Sequence, residues 1–272
     1  MPLRIVASVA ISALISLLGY RARALTVRGA CVATGVGTGI ALGGRWPGIA
    51  LLGTFFVSSS LLSRFARESE IAAKGSRRDA AQVLANGGVA AIAALGSLAG
   101  RPGLAYSAMA GSLAAANADT WATEIGSTST ALPRMLLSLR TVPRGTSGAV
   151  SGRGLASMVA GAALIGGVAA LGRRETRLLP MAAVVAASGV VGALVDSVLG
   201  ETLQERRRCP VCDVPTEARH HDCGRPTIRT GGVPWINNDV VNLTCTAVGG
   251  AGAALGWLWL SRSRGTPDRS RR

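Results

Sequence analysis

Eight apolar runs separated by short, arginine-rich links constrain this chain more than any other feature. They cover roughly residues 3–20, 24–43, 46–63, 82–99, 103–118, 154–172, 178–200 and 240–260. Each approaches the ~20 residues a helix needs to cross the hydrocarbon of a bilayer. The expected fold class is therefore all-α: a polytopic helical membrane protein with about 6–8 transmembrane helices, residues 1–272 forming one integral membrane domain. Composition agrees, because only 16% of the residues are charged and 49% are hydrophobic, whereas a soluble domain carries about 25% charge. The runs 24–43 and 103–118 are the weakest, being Gly-rich or short. Gly35, Gly39 and Gly43, like Gly252 and Gly256, follow the small-xxx-small spacing that lets helices approach closely. In a chain with 36 glycines that spacing also arises by chance.

The run Leu3 to Leu18 is longer than a usual signal core and is followed by Arg21 and Arg23, so it reads as a retained first span. The formal charge of +15 is scattered over the links with few aromatic residues beside it. Base stacking on nucleic acid is thus unsupported, and contact with anionic lipid or phosphate accounts better for the charge. Of the 29 Lys+Arg, 18 fall in the links 20–28, 64–81, 119–153 and 201–239. The positive-inside rule assigns these links to the cytoplasm and the amino terminus to the outside. The tail residues Arg262, Arg264, Arg269, Arg271 and Arg272 disagree, which calls for a miscounted span or a re-entrant run.

Polar clusters crowd the same links. Lys74 to Asp79 leads to Gln82 and Asn86-Gly87-Gly88; Asn117 to Glu124 follows the run 103–118; Asp196-Ser197 lies deep in the run 178–200; Asn237-Asn238-Asp239 with Asn242 opens the last run. Carboxylates at or within a span are costly and mark functional sites by default, the alternative for Asp119 and Glu124 being solvated loop charges. Asp119, Glu124, Asp196 and Asp239 together suit Mg²⁺, which takes a few carboxylates plus phosphate oxygens. On a continuous helix Asn117 and Glu124 share a face while Asp119 points elsewhere, unless the helix breaks there. The segment Val142-Pro143-Arg144-Gly145-Thr146-Ser147-Gly148, with Arg140 before it, combines backbone N–H access, hydroxyl donors and forked positive charge. That composition fits a phosphate-binding turn and equally a flexible surface loop; no Walker motif is present.

These segments resemble an integral membrane family, domain of unknown function 92, typified by transmembrane protein 19. The resemblance rests on Asn117-Ala118-Asp119-Thr120-Trp121-Ala122-Thr123-Glu124-Ile125-Gly126, Val142 to Gly148, Asp196-Ser197 and Asn238-Asp239-Val240-Val241-Asn242. Arg77-Arg78-Asp79 with Gln82 to Gly88 is also similar, and the matches run in order from about Gly75 to Asn242. The family includes a plant phytyl-phosphate kinase. The resemblance implies a nucleotide-dependent isoprenoid-phosphate kinase in the cell (plasma or inner) membrane, using CTP or ATP and Mg²⁺. Asp119, Glu124, Asp196 and Asp239 would then hold metal. Arg77, Arg78, Asn86, Asn117, Arg140, Arg144, Gly145, Thr146, Ser147, Gly148, Asn238 and Asn242 would face the donor and acceptor phosphates. A CTP-dependent lipid nucleotidyltransferase needs the same groups. A transporter or lipid translocator would also place polar residues in spans, but the clusters crowd one side and no inverted repeat stands out.

The link 201–239 holds Cys209-Pro210-Val211-Cys212 and His220-His221-Asp222-Cys223. Three thiols and one imidazole supply the four ligands of a structural Zn²⁺ site. His221 is the histidine the resemblance implies, with His220 the alternate. In a reducing cytoplasm metal is favoured over a disulfide; unligated thiols are the plain alternative. Cys31 and Cys245 sit in apolar runs and read as packing residues.

Overall fold

The computed structural model describes residues 2–68, 77–172, 178–216 and 218–262. Helices dominate: α1 (Pro2–Arg21), α2 (Val27–Glu68), α3 (Ala80–Leu95), α4 (Pro102–Ser127), α5 (Gly152–Gly172), α6 (Leu178–Thr202) and α7 (Asn238–Arg262). Short strands occupy two connections. In one, β1 (Arg134–Met135) pairs antiparallel with β2 (Ala149–Val150); in the other, β3 (Arg206–Arg208) lies between β4 (Pro215–Thr216) and β5 (Ile228–Gly231). The all-α expectation holds for the bundle, and these small sheets are confined to its connections.

A straight helix as long as α2 would reach about 63 Å, twice the ~30 Å of hydrocarbon. The chain reverses instead. Arg45 leaves helical geometry (φ 56, ψ −150), and Pro47 then falls in the first turn of a second arm, where its missing N–H costs nothing. Gly48 packs on Ile40 and Leu52 lies beside Gly37, so the arms run antiparallel. The runs 24–43 and 46–63 are the two arms of this hairpin. Helix α3 begins at a capping box, with Asp79 accepting from the Gln82 N–H at 3.0 Å and Gln82 Oε1 accepting from the Asp79 N–H at 3.2 Å.

Contacts fix which connections share an end of the bundle. At the first end the Arg4 guanidinium donates to the Leu42 carbonyl (2.6 Å), Ser97 Oγ to that of Gly43 (2.8 Å), and Trp257 packs on Gly103. At the second end the Arg78 N–H donates to the Ala24 carbonyl (2.9 Å), and Gly148 lies against Gly200. Both described termini, Pro2 and Arg262, therefore lie at the first end. Residues 22–26, 77–79, 128–151 and 203–237 gather at the second. The tail beyond Arg262 and the stretch Lys74 to Ser76 lie outside the described residues.

Among the described residues six helices are long and apolar enough to cross a membrane, the α2 hairpin counting once; α4 is the exception. The reason is its position. Helix α4 packs against α2, α3, α5, α6 and α7, and every residue from Ala105 to Ala118 except Ala108 is buried. A helix sheathed by protein faces no lipid and needs small residues rather than large apolar ones. The outer helices show the converse, with Leu3, Ile92, Leu179, Leu255 and Trp259 exposed as a membrane protein's lipid-facing surface requires. The run 103–118 was expected to end before the polar cluster; the helix in fact continues unbroken to Ser127, so Asp119 and Glu124 lie within it.

The seam between α4, α6 and α7 is closed by small residues. A Cβ on Gly192 would sit 2.6 Å from the Cys245 carbonyl oxygen and 2.7 Å from Ala115 Cβ, and one on Gly249 would meet Ala115 and Gly111 at 2.6 Å. At the second end the connection 128–151 is tied to α6. Glu201 accepts from the Leu137 N–H (2.7 Å) and the Ser138 N–H (3.0 Å), and Gln204 donates to Ser147 Oγ at 3.4 Å. Gly148 (φ +78) rests its backbone on Ser197, Gly200 and Glu201, leaving no room for a Cβ.

Gly148→Val should therefore release this connection while sparing the bundle. Left-handed backbone alone costs a side chain about 1–2 kcal/mol, and the overlap with α6 adds to it. Hydrogen exchange of amides 136–148 should accelerate sharply, with helix amides unchanged. Unaltered exchange at Leu137 and Ser138 would show that the glycine does not anchor the connection.

Candidate functional site

Helix α4 carries its polar groups to two different neighbours. Asn117 is fully buried and ties three helices together. Its Oδ1 accepts from Ser58 Oγ (3.0 Å) and Ser59 Oγ (3.4 Å) of α2, and its Nδ2 donates to the Gly161 carbonyl of α5 (2.8 Å). Trp121 Nε1 adds a 3.3 Å bond to Ser58 Oγ. Two turns on, Glu124 Oε1 accepts from Ser63 Oγ at 2.6 Å. Asn117 and Glu124 thus share the α2-facing side that helical spacing implies, and no helix break redirects Asp119.

Arg78 stands beside Glu124. Its backbone is held between Ala24 and Thr26, and its guanidinium lies 5.4 Å from the Phe55 ring centroid. Desolvation lowers the guanidinium's pKa and the Glu124 carboxylate opposes that shift; an arginine so placed stays cationic at neutral pH.

Asp119 points the other way, to the α4–α6–α7 seam. The register Ala115–Gly192–Cys245 places Asp119 and Asp196 one turn nearer the second end, at the height of Asn242. Both carboxylates lie within electrostatic reach of the Cys245 thiol. Asn242 is 9% exposed, and Asp239 occupies the first turn of α7, whose start is capped by Asn237 Oδ1 accepting from the Val240 N–H (3.0 Å). Thr246 joins α7 to α3 through a 2.9 Å bond to the Ala85 carbonyl. That contact sets Gln82 of α3 near the level of Asn242 and Asn86 about one turn farther into the bundle; Asn86 Nδ2 donates to the Gln82 carbonyl at 3.0 Å. The four carboxylates consequently divide: Asp119, Asp196 and Asp239 belong to the α4–α6–α7 side, and Glu124 to the α2 side.

The segment 142–148 is a built turn. Thr146 Oγ1 donates to the Pro143 carbonyl (2.7 Å), Arg144 Nη2 to the Thr130 carbonyl (2.7 Å), and Gly148 docks directly after Asp196-Ser197. Gly145 is exposed with φ +80, while Arg77, Arg140 and Arg144 are exposed at the same end. Asn238 lies in the first turn of α7, close in sequence to the seam. Every candidate named from sequence lies at the second end of the bundle.

The connection 203–237 builds a separate centre. Cys209, Cys212, His221 and Cys223 place one ligand atom each within 4.8 Å of one another. Cys209 Sγ and Cys223 Sγ are 3.7 Å apart, close to the ~3.8 Å edge of a tetrahedron with 2.3 Å Zn–S bonds. His221 Nδ1 lies 3.2 Å from Cys223 Sγ, so His221 and not His220 joins the sulfurs. Hydrogen bonding to Cys223 raises the Cys212 thiol to about 11, while the Cys212 N–H lowers Cys209. Three thiols and one imidazole at this spacing form a donor set that fits a tetrahedral soft-metal site.

Sequence reasoning missed Ser58, Ser59, Ser63 and Thr246, whereas Glu201 and Gln204 belong to the polar stretch that continues from Asp196-Ser197 and Trp121 to the segment 117–126. The one signal for the serines was the Ser58-Ser59-Ser60 and Ser63 hydroxyls inside an apolar run, which hydropathy passes over.

Relatives extend the same picture. The family model for "Integral membrane protein DUF92" matches residues 10–250. Protein PGR of Arabidopsis thaliana is 27% identical over 88% of this chain and 91% of its own length. An uncharacterized membrane protein of Methanocaldococcus jannaschii is 31% identical over 74% of this chain and 73% of its own. No solved structure matches. With residues 10–250 matched by the family model and six helices among the described residues long and apolar enough to cross a membrane, the chain belongs to the DUF92 family of multi-pass integral membrane proteins.

Proposed function

We propose that this protein is an isoprenoid-phosphate kinase, transferring the terminal phosphoryl group of CTP or ATP to a phytyl- or prenyl-phosphate. The observation that supports the reading is the placement of Asp119 and Asp196 at one height of a helix seam, both within electrostatic reach of Cys245 and beside a glycine- and hydroxyl-rich turn. The resemblance to a family with a phytyl-phosphate kinase supplies the reaction class. In the transfer an oxygen of the lipid phosphate forms a bond to the terminal phosphorus, the bond to the bridging oxygen breaks, and the nucleoside diphosphate leaves. The acceptor is already an anion, so no side chain need remove a proton.

The chain's residues then position and neutralise. Asp119 and Asp196, with Asp239 and the Asn242 amide nearby, offer the oxygen donors that suit Mg²⁺. When bound there, Mg²⁺ would neutralise charge on the phosphate oxygens. The turn 143–148 presents the Thr146 and Ser147 hydroxyls and backbone N–H groups beside Ser197, and Arg140 and Arg144 add positive charge. Arg77, Arg78, Asn86, Gly145, Gly148 and Asn238 complete the phosphate-facing set, whereas Asn117, expected there from sequence, is fully buried with both ends of its amide bonded inside the bundle and serves as a tie between helices. Glu124 joins through Ser63 and Arg78 and so acts on the α2 side. The isoprenoid tail stays in the bilayer while its head group reaches this end, which the positive-inside bias assigns to the cytoplasm of a plasma or inner membrane. Zinc on Cys209, Cys212, His221 and Cys223 orders the 201–239 connection. Four protein ligands leave no position for water, which marks a structural site.

Purified protein given phytyl or geranylgeranyl phosphate with each nucleotide should release the lipid diphosphate and nucleoside diphosphate. A lipid nucleotidyltransferase would release pyrophosphate instead, and a translocator neither. Asp119→Asn and Asp196→Asn should each slow transfer roughly 10²-fold or more, with insertion and melting temperature near wild type. Near-normal turnover in both variants would remove these carboxylates from the chemistry. Elemental analysis should find one zinc per chain, and Cys209→Ser should lose it along with protection of residues 206–231 against proteolysis. A folded, active preparation with no zinc would leave four unligated side chains.

A further inference from the structure

We infer that a second anion-binding pocket, built by Arg23, Arg64 and Arg78 with the hydroxyls of Ser60 and Ser63, takes a phosphate ester on the α2 side of α4. The pocket lies at the second end of the bundle, where the link after α1, the last turns of α2 and the strand-like segment before α3 meet. Three arginines and two serines are among the residues lining one concavity. Forked N–H donors of these arginines, with the Ser60 hydroxyl, suit the tetrahedral array of phosphate oxygens, while Ser63 already donates to Glu124. The ordinary explanation for arginines at a helix end is contact with lipid head groups, but two features here exceed it.

Arg78 points inward: its backbone is fixed by hydrogen bonds to Ala24 (2.9 Å) and Thr26 (3.0 Å), and its guanidinium lies over Phe55. Among the described residues, the acidic group acting on it is Glu124, which also receives the Ser63 hydrogen bond. Among the described residues Arg23, Arg64 and Arg78 bring three cations to this concavity, charge that a bound anion would neutralise. Arg23 adds a backbone argument. It ends α1 at φ 59, with its N–H bonded to the Tyr20 carbonyl (2.9 Å) and the Ala24 N–H to that of Gly19 (2.9 Å). That is a left-handed helix cap, a position normally held by glycine. An arginine there keeps a cation at the pocket's rim at the expense of strain, and strain of this kind gathers at ligand sites.

The pocket rests on the proposed kinase reading for its substrate, since a phosphate ester is common to the lipid acceptor and the nucleotide donor. Its test does not need turnover. Full-length protein in detergent, without added magnesium, is titrated with inorganic pyrophosphate and its melting temperature followed. Saturable stabilisation is expected in wild type, weakened about tenfold or more in Arg23→Gly and in Arg64→Gln. Arg23→Gly suits the left-handed cap, so its unliganded melting temperature should hold or rise, which separates lost binding from lost folding. Displacement of pyrophosphate by CTP or ATP assigns the pocket to the donor, and displacement by geranylgeranyl phosphate assigns it to the acceptor. Displacement by neither, absence of saturable binding, or unchanged affinity in both variants overturns the proposal. Arginine-dependent binding without phosphoryl transfer would keep the pocket and end the kinase reading. Transfer with unchanged KM for both substrates in both variants would do the reverse.

Discussion

Close approach of α4, α6 and α7 through glycine and alanine is the constraint on which the rest of this structure depends. Lipid tails are as apolar as leucine, so helices in a bilayer gain little by burying large side chains against each other. Dispersion contacts between backbones that come near enough must supply the attraction. Gly111, Ala115, Gly192 and Gly249 make that approach possible, since a Cβ on any of the three glycines would overlap a neighbouring carbonyl or methyl. Because the seam is so tight, one turn of helix beyond it sets Asp119 and Asp196 at the same height on neighbouring helices. The packing device and the carboxylate pair are consecutive turns of the same three helices.

Such a seam lacks directionality, and hydrogen bonds supply it. Asn117 engages α2 and α5 at once, and Thr246 links α7 to α3. Each such bond is worth only about 1 kcal/mol in a membrane, yet an amide left unsatisfied at full burial would cost more. Their larger effect is to fix the rotation of α4. With Asn117 locked toward α2 and α5, Asp119 must face α6 and α7 while Glu124 returns to α2.

Much of this was legible from sequence where periodicity and hydropathy act, and little of it where tertiary contact decides. The reversal at Arg45 was readable because Gly43, Gly44 and Pro47 interrupt the apolar pattern between two runs of span length. Helix α4 was read as ending near Ala118 because polarity rises there; polarity marks the end of lipid exposure, not the end of a helix, and a helix wrapped by five others can stay helical through Asp119 and Glu124. The angular separation of those two carboxylates followed from 3.6-residue geometry alone. Which neighbour each one meets did not, since Ser63 and Arg78 are distant in sequence. The turn 142–148 likewise looked like any Gly- and Ser-rich loop until Gly148 was found seated on Gly200. The cysteine spacing announced a four-ligand cluster, but only the fold could choose between His220 and His221, because adjacent residues on a strand-like segment point to opposite sides.

The division of polar groups around α4 bears on how two polyanions could share one end of a bundle. A nucleotide triphosphate and a lipid phosphate repel one another, and bringing them together requires cations on both. In the proposed reading one side of α4 offers carboxylates, which answer phosphate charge only through a bound cation, and the other offers guanidinium groups, which answer it directly. These are different solutions to one electrostatic problem, and they suit different partners. A metal organises the oxygens between which transfer occurs, whereas an arginine pocket holds a phosphate whose position must be fixed without taking part. Helix α4, rigid through its burial and keyed by Asn117, separates the two by the thickness of a single helix, so that neither set of charges neutralises the other before substrate arrives. The zinc-type cluster stands apart from both. With zinc bound as proposed, its soft ligands and closed donor set would hold the outer connection in shape, leaving oxygen donors and arginines for the phosphate chemistry proposed at the bundle's end.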